Sequence, residues 1–331
     1  MVNFDYKSLV TEELGRAYVT TVKILNTAHL PQNDVLMRVK YSSVNYKDAL
    51  SATGNKGVTK KFPHTPGIDA AGVVVRSKVE SYKAGDEVIV SGYDLGMNTP
   101  GGFGQYINVP SEWVVPLPKG LTLKESMIIG TAGFTAGIST HRLTQLVKPH
   151  DGKIVVTGAT GGVGSVAISL LSKLGYQVIA VSGKASEHDY LKKLGATEII
   201  SRNDFQVSDG KAVSSARFAG GIDTVGGVIL ENIIKSLHPL GAVTTCGSVS
   251  STQLNISAFP FILRGISLIG ISAQNYPFEL RKVLWDLLSD NWKPTNLMEI
   301  YTEISLEEVD NALSDILQGK LKGRVIVNLG L

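Results

Sequence analysis

VVTGATGGVGSVAISLLSKLG, residues 155–175, is the stretch on which the fold turns. The apolar run Ile154 to Val156 predicts a buried strand, broken at Gly158 and followed by glycines at 161, 162 and 164. Apolar residues then recur at Val163, Val166, Ala167, Leu170, Leu171 and Leu174, the spacing of one helix face. Gly175 stands where a helix would end in a left-handed cap. Strand, glycine turn and helix in that order make the phosphate cradle of a dinucleotide-binding domain.

Downstream the pattern repeats. YQVIAVS (176–182) predicts a strand, SEHDYLKKLG (186–195) a helix and ATEIIS (196–201) a strand. IDTVGG, AVTTCG and SLIGIS are three more short apolar runs, with a helix face at Leu230, Ile233, Ile234 and Leu237 between the first two. Strands alternating with helices imply parallel β-α-β units, about six strands between residues 153 and 271, in a doubly wound sheet. After Ser272 the alternation stops. FELRKVLWDLLSD (278–290) predicts an amphipathic helix, then come a strand near 298–304, a helix near 306–317 and a strand at 324–329.

Upstream, residues 17–120 read as β-rich. Val35 to Tyr41, GIDAAGVVVRS (67–77), GDEVIVSG (85–92) and GGFGQYINVPSEWVVPLP (101–118) are strand candidates punctuated by glycine and proline. Short strands of this kind predict a compact, irregular barrel. Residues 121–145 turn helical, with Thr122 and Glu125 fitting a capping box. The expected division is 1–121 for the first part of a β-rich domain, 122–272 for the nucleotide domain, and 273–331 for a segment returning to the first.

Composition narrows the functional classes. The 331 residues are 43% apolar and 18% charged, with 32 basic against 29 acidic side chains and a formal charge of +3. That balance and the lack of a basic stripe exclude nucleic acid as the expected partner. The single cysteine, Cys246, excludes an internal disulfide framework and a cysteine-rich zinc site. No apolar run approaches membrane-spanning length, and the N-terminal MVNFDYKSLVTEELGR lacks a signal-peptide core, so a cytoplasmic enzyme is expected.

The turn itself reads Ala159-x-Gly161-x-x-Gly164, with alanine at the first glycine position of the dinucleotide pattern. Gly161 lets the backbone approach a pyrophosphate, Gly164 lets the helix pack on the strand, and the amides of Thr160 to Gly164 face the phosphates. An acid at the end of the second strand would hold a ribose 2′-hydroxyl. Here that place reads Val181-Ser182-Gly183-Lys184, and Arg202 follows the third strand. A hydroxyl and two cations suit a 2′-phosphate, so NADPH is the expected cofactor.

Over essentially the whole chain these residues resemble the medium-chain dehydrogenase/reductase superfamily. The carriers are PGIDAAGVV (66–74), AGDEVIVSG (84–92), GGFGQYINVP (101–110), TAGFTAG (131–137) and TGATGGVG (157–164). SSVNYKDALSATG (42–54), AVSGK (180–184), IDTVGG (222–227) and PFILRGISLIGI (260–271) are similar to its YhdH/YhfP-type branch of acrylyl-CoA reductases and quinone oxidoreductase-like proteins. The resemblance implies an α/β fold, a Rossmann domain inserted into a GroES-like catalytic domain, and a homodimer. It also implies that Tyr46 contacts the cofactor, that Ser248, Ile262 and Ala273 line the cofactor cleft, and that Gln318 adds a similar contact.

The chain departs from the zinc alcohol dehydrogenases of this superfamily. Their Gly-His-Glu segment is Gly67-Ile68-Asp69 here, and their cysteine ligands are absent, so no catalytic metal is expected. Without a Lewis acid, a conjugated acceptor is favoured over an isolated ketone, because hydride addition at its β-carbon spreads charge into an enolate. An α,β-unsaturated acyl-CoA such as acryloyl-CoA heads the expectations. A quinone is the second reading, and a non-catalytic NADPH-binding regulatory protein the third.

Tyr46 is the catalytic candidate: its phenol could donate a hydrogen bond or a proton to the enolate, or be a buried tyrosine with its hydroxyl satisfied. Asn45 is a substrate candidate, with local capping beside Asp48 as the other reading. Lys47, Lys56, Lys60 and Lys61 form a basic stretch, read either as a contact for coenzyme A phosphates, with Lys56 and Lys60 foremost, or as a solvated loop.

Overall fold

The computed structural model describes residues 3–330. In chain order the first strands are β1 (Asp5–Leu14), β2 (Ala17–Asn26) and β3 (Val35–Ser43), followed by helix α1 (Tyr46–Ala52). Strands β4 (Asp69–Ser77), β5 (Glu87–Ser91), β6 (Tyr106–Val109) and β7 (Val114–Pro116) lead to helix α2 (Leu123–Leu146). The alternating part is β8 (Ile154–Val156), α3 (Gly162–Lys173), β9 (Val178–Ser182), α4 (His188–Lys193), β10 (Ala196–Ser201) and α5 (Arg202–Phe205). It continues through β11 (Phe218–Asp223), α6 (Gly227–Lys235), β12 (Leu237–Thr245), α7 (Phe259–Arg264) and β13 (Ser267–Gly270). Helix α8 (Phe278–Ser289), β14 (Tyr301–Ser305), α9 (Val309–Leu317) and β15 (Arg324–Asn328) close the chain.

Two compact units result. The first takes the residues up to Thr131, Gln274–Ser289 and those from Tyr301 onward; the second takes Ala132–Ala273 and Asp290–Ile300. The seams differ from the expected ones at 121/122 and 272/273, for identifiable reasons. Helix α2 is continuous by hydrogen bonding but broken in conformation at Gly130 (φ 49°), and the division falls just after that break. Residues 290–300 join the second unit because Ser169 Oγ donates to Asn296 Oδ1 (2.6 Å) and Lys173 Nζ to the Lys293 carbonyl (2.7 Å).

In the first unit β1 and β2 form a hairpin from Asp5 opposite Asn26 to Leu14 opposite Ala17, turning at Gly15 with φ 66°. β1 escapes the sequence reading because its acids Glu12 and Glu13 obscure the alternation. The main sheet runs β14-β15-β3-β4-β5-β7, parallel only between β14 and β15, and β6 leaves that path to pair with β3. β3 therefore has three partners, the irregularity behind the barrel-like reading of its sequence. Its Val35, Met37 and Val39 are fully buried with Phe103, Val309 and Val327 in one core.

In the second unit six strands run in the order β10-β9-β8-β11-β12-β13, all parallel. The order reverses between β8 and β11, and ligands of such sheets bind at the carboxyl ends beside that point. β8 is buried at every residue, as a strand covered on both faces must be. Helix α3 buries Gly164 through Leu171, and Gly175 takes φ 84° just past its end. Leu237, expected on the α6 face, instead opens β12, because α6 ends at Lys235.

Candidate active site

Within the second unit the expected cofactor residues converge on the carboxyl ends of the parallel strands. After β8 the chain turns at Gly158, whose φ of 57° is the left-handed conformation the tight turn demands. That explains how alanine is tolerated at 159: the residue before it supplies the conformational freedom. Gly161 is the N-cap of α3 in extended conformation, and Thr160 beside it is buried. A side chain at Gly164 would place its Cβ 2.4 Å from the Gly158 carbonyl oxygen and 2.8 Å from Ala159 Cα. The helix thus starts against the turn, and the amides at Gly162, Val163 and Gly164 are first-turn donors with no helical acceptor of their own. This cradle fits a diphosphate.

The neighbouring strand ends fit the rest of a phosphorylated dinucleotide. Ser182 ends β9, opposite Ser201 at the end of β10, and its hydroxyl accepts the Lys184 N–H at 3.0 Å. Arg202 lies over Gly183: a Cβ there would stand 3.0 Å from Arg202 Cζ and 3.1 Å from Nε and Nη2. Glycine at 183 is what leaves room for the guanidinium. Ser182, Gly183 and Lys184, with Arg202 from the end of the next strand, form a cationic corner.

Farther along the same edge, Thr245, Cys246, Gly247, Ser248, Gly270, Ile271 and Ser272 line a cleft of about 410 Å³. Ser248 is one of these lining residues. Burial, reinforced by the Asp223 carboxylate, pushes the Cys246 thiol up to about 12, which suits a packing residue and not a nucleophile. Asp223 itself ties three strand ends together, accepting from Thr157 Oγ1 (2.7 Å), the Gly226 N–H (2.9 Å) and Thr245 Oγ1 (3.1 Å). Ile262 lies elsewhere, 73% exposed on α7 beside the exposed Phe259 and Leu263, and does not line the cleft.

In the first unit Tyr46 opens α1 and is 40% exposed, which removes the buried-tyrosine reading. Among the described residues its hydroxyl has no hydrogen-bond partner. Asn45, only 7% exposed, is not at a surface: its amide donates to Asp69 Oδ2 (2.7 Å) and the Ser43 carbonyl (3.1 Å). Its interactions are internal: it is the N-cap of α1, with its N–H on Asp48 Oδ2 at 2.8 Å, which is the capping reading of its sequence. Lys56 is likewise engaged within the chain, bound to Glu13 at 2.9 Å and lying over the rings of Tyr18 and Phe62. Lys60 is exposed, with its backbone N–H on Asn98 Oδ1 at 3.2 Å. Gln318 caps the end of α9 and donates to Ser314 Oγ at 3.0 Å. Ala273 is the last residue before the chain re-enters the first unit.

Behind Tyr46 stands a buried charged network that the sequence reading missed. Asp69 accepts from Ser43 Oγ (2.6 Å), Asn45 Nδ2 (2.7 Å), Thr131 Oγ1 (2.7 Å) and the Thr131 N–H (2.9 Å). Arg324, buried beside it at 3.9 Å, also donates to Ser43 Oγ (2.7 Å) and the Ile128 carbonyl (3.1 Å). Asp48 accepts the N–H groups of Asn45 and Ile68, both at 2.8 Å. Burial, with Asp69 nearby, pushes its carboxyl up to about 7. The available signal was a charge inside an apolar run, in IDAAGVVV and again in GRVIV. Among the described residues no group of three His, Cys, Asp or Glu side chains is placed to hold a metal ion.

The family model for the alcohol dehydrogenase GroES-like domain matches residues 31–119, and that for zinc-binding dehydrogenase matches residues 162–290. The chain is 43% identical to YhfP of Bacillus subtilis, provisionally named a quinone oxidoreductase, over 98% of this chain and 99% of that one. The solved structure of that protein, with NAD bound, superposes with a TM-score of 0.96. Acrylyl-CoA reductase AcuI of Ruegeria pomeroyi is 38% identical over 96% of each chain. The yhdH oxidoreductase of Salmonella enterica in complex with NADP is 39% identical, covers 98% of this chain and 99% of its own, and has a TM-score of 0.94.

Proposed function

The chain belongs to the medium-chain dehydrogenase/reductase superfamily, in the YhfP and acrylyl-CoA reductase branch, and from that premise we propose that it is an NADPH-dependent reductase of conjugated acceptors, acryloyl-CoA foremost. The observation that carries the cofactor choice is the placement of Arg202 over Gly183 beside Lys184, at a strand end where an acid would repel a 2′-phosphate. The acceptor class rests on the named activities of the relatives.

In this reading the first-turn amides of α3 bind the diphosphate, and Lys184 and Arg202 pair with the 2′-phosphate. Bound NADPH supplies a hydride, which a conjugated acceptor takes at its β-carbon, moving negative charge to an enolate oxygen. The exposed phenol of Tyr46 orients the acceptor and donates a hydrogen bond to that oxygen. Asn45, through Asp69, fixes the backbone from which Tyr46 projects, a positioning role in place of the expected substrate contact. Quinone reduction is the second reading, supported by the name that YhfP carries.

The protein is further read as a cytoplasmic homodimer. Among the described residues no helix is long and apolar enough to cross a membrane. The dimer is supported by β13, which among the described residues pairs with β12 alone and stands at a sheet edge, and by exposed Leu240, Phe259, Ile262 and Leu263.

NADPH oxidation followed with acryloyl-CoA, a simple quinone and free acrylate tests the function. Turnover confined to the quinone would overturn the thioester assignment, and tight NADPH binding with no turnover on any acceptor would favour a regulatory protein. For the cofactor, Lys184→Ala and Arg202→Ala should each weaken NADPH binding about tenfold, a charge-assisted contact being worth roughly 1.5 kcal/mol, and leave NADH binding unchanged. Equal wild-type affinities for the two cofactors, unmoved by either substitution, would refute the 2′-phosphate site.

A further inference from the structure

Reducing a conjugated thioester requires a proton as well as a hydride, and Tyr46 is not the only donor in its segment. Lys47 is the next residue on α1, and its side chain is half-buried. Its ammonium donates to the side-chain oxygen of Gln274. Gln274 is itself fixed, because its carbonyl accepts the Tyr93 N–H (2.8 Å) and Arg281 Nη2 (3.3 Å). Arg281 is fully buried, donates to the Ser91 carbonyl at 2.9 Å, and lies over the Tyr93 ring. Tyr93 holds a left-handed backbone, φ 54°, a strained conformation for a residue with a side chain and one that recurs at functional sites. A rigid assembly therefore ends in one amide oxygen that holds one ammonium. Along the chain, Gln274 stands two residues beyond Ser272, the last lining residue of the cleft at the ends of β12 and β13.

We propose that Lys47 is the general acid of the reduction, held on aim by Gln274 as a positioning residue. This rests on the reductase reading above. As hydride arrives at the β-carbon, the π pair of the C=C bond moves through the α-carbon to the thioester oxygen. The enolate then collapses, a C–H bond forms at the α-carbon with a proton from the Lys47 ammonium, and the thioester carbonyl is restored. Lysine is left as the free amine and regains its proton from water. NADPH loses two electrons and the alkene gains them. An ammonium has three N–H donors, of which Gln274 takes one. Burial holds the Lys47 ammonium below the usual lysine range, against the opposing pull of Asp48 on its own helix, which makes it a better acid. The other cation in the assembly, Arg281, donates to the Gln274 carbonyl. Tyr46 and Lys47 then divide the work, one supplying a hydrogen bond and the other a proton.

The test is the pH profile of kcat for acryloyl-CoA in wild type, Lys47→Met, Lys47→Arg and Gln274→Leu, with NADPH affinity measured alongside. Lys47→Met should lose about 10²–10³-fold in kcat, the usual worth of a general acid, and keep its NADPH affinity within about threefold. The alkaline limb of the wild-type profile should vanish in Lys47→Met and move upward in Lys47→Arg. In Gln274→Leu the ammonium loses its acceptor, so the limb should move to lower pH. A merely structural lysine would lower kcat at every pH and leave the limb in place, and that result in Lys47→Met, or a kcat within about threefold of wild type, overturns the proposal. Should Lys47→Met fail to fold, the limb shifts of the other two variants decide. Wild-type turnover of acryloyl-CoA is a separate outcome. If only a quinone is reduced, the thioester reading fails, and the same variants test Lys47 on the quinone oxygen, which also needs a proton.

Discussion

Asp48 shows how one buried side chain is shaped by the backbone around it. Both oxygens accept backbone N–H groups, and they do so at full burial and near a second carboxylate, so its carboxyl rises from 3.8 to about 7. A group raised in the folded state contributes stability that is complete below its unfolded value and lost as pH climbs through the folded one. Between about pH 4 and 7 unfolding should therefore release a proton from Asp48, and stability should fall as pH rises through that window. Asp48→Asn should lack that component, so its melting temperature should fall less than the wild-type value does between pH 5 and 7. Parallel melting curves for the two proteins over that range would show that Asp48 is ionised throughout. At the same scale the hydroxyl of Ser182 and the charges of Lys184 and Arg202 were legible, since they are properties of the residue itself. The sequence left two readings open for Asn45 and for Lys56, whose partners Asp69 and Glu13 come from distant strands, and for Asn45 the capping reading is the one the structure bears out.

Among the elements, α2 is the most instructive. Its start was legible: Thr122 and Glu125 bond reciprocally, the Glu125 carboxylate taking the Thr122 N–H at 2.9 Å and the Glu125 N–H reaching Thr122 Oγ1 at 3.1 Å. Its break was not. At Gly130 the backbone reaches φ 49° and ψ −162°, and the next turn restarts at Thr131 under the Asp69 carboxylate, which caps it. No residue with a Cβ fits there, because that atom would stand 2.6 Å from both Arg324 Nη2 and Ser43 Oγ and 2.8 Å from Asp69 Oδ2. Gly130→Ala should therefore cost about 1–3 kcal/mol through backbone strain, with further loss from displacement of the ion pair, read as a lowered denaturation midpoint. A substitution that leaves the midpoint within experimental error would mean the kink is adaptable. The close packing at Gly164 was legible because its constraint is local, set by Gly158 and Ala159 within one turn of chain.

At the scale of the whole molecule, the edge strand β13 and the exposed Phe259, Ile262 and Leu263 of α7 are the surface to which the dimer proposal belongs. A homodimer covering them would bury surface that a monomer leaves in water, and roughly 800 Å² on each copy is the usual scale of such a contact. Ile262→Asp combined with Leu263→Asp should convert the proposed dimer to monomers in sedimentation analysis and leave the cationic corner at Ser182, Lys184 and Arg202 intact. A wild-type protein that sediments as a monomer at micromolar concentration would remove the dimer from this account.

The sequence alone determined the parallel six-stranded sheet, the glycine turn that opens α3 and the absence of an acid at the second strand end. These depend on apolar period, turn chemistry and charge, and each is written within a few consecutive residues. Only the tertiary structure decided that Gly183 makes room for Arg202, that Asp69 and Arg324 share a buried site across 255 positions of chain, and that Lys47 is held by Gln274. Those pairings join residues distant in sequence. What fixes them is burial, which obliges each polar group removed from water to find a partner wherever the fold brings one.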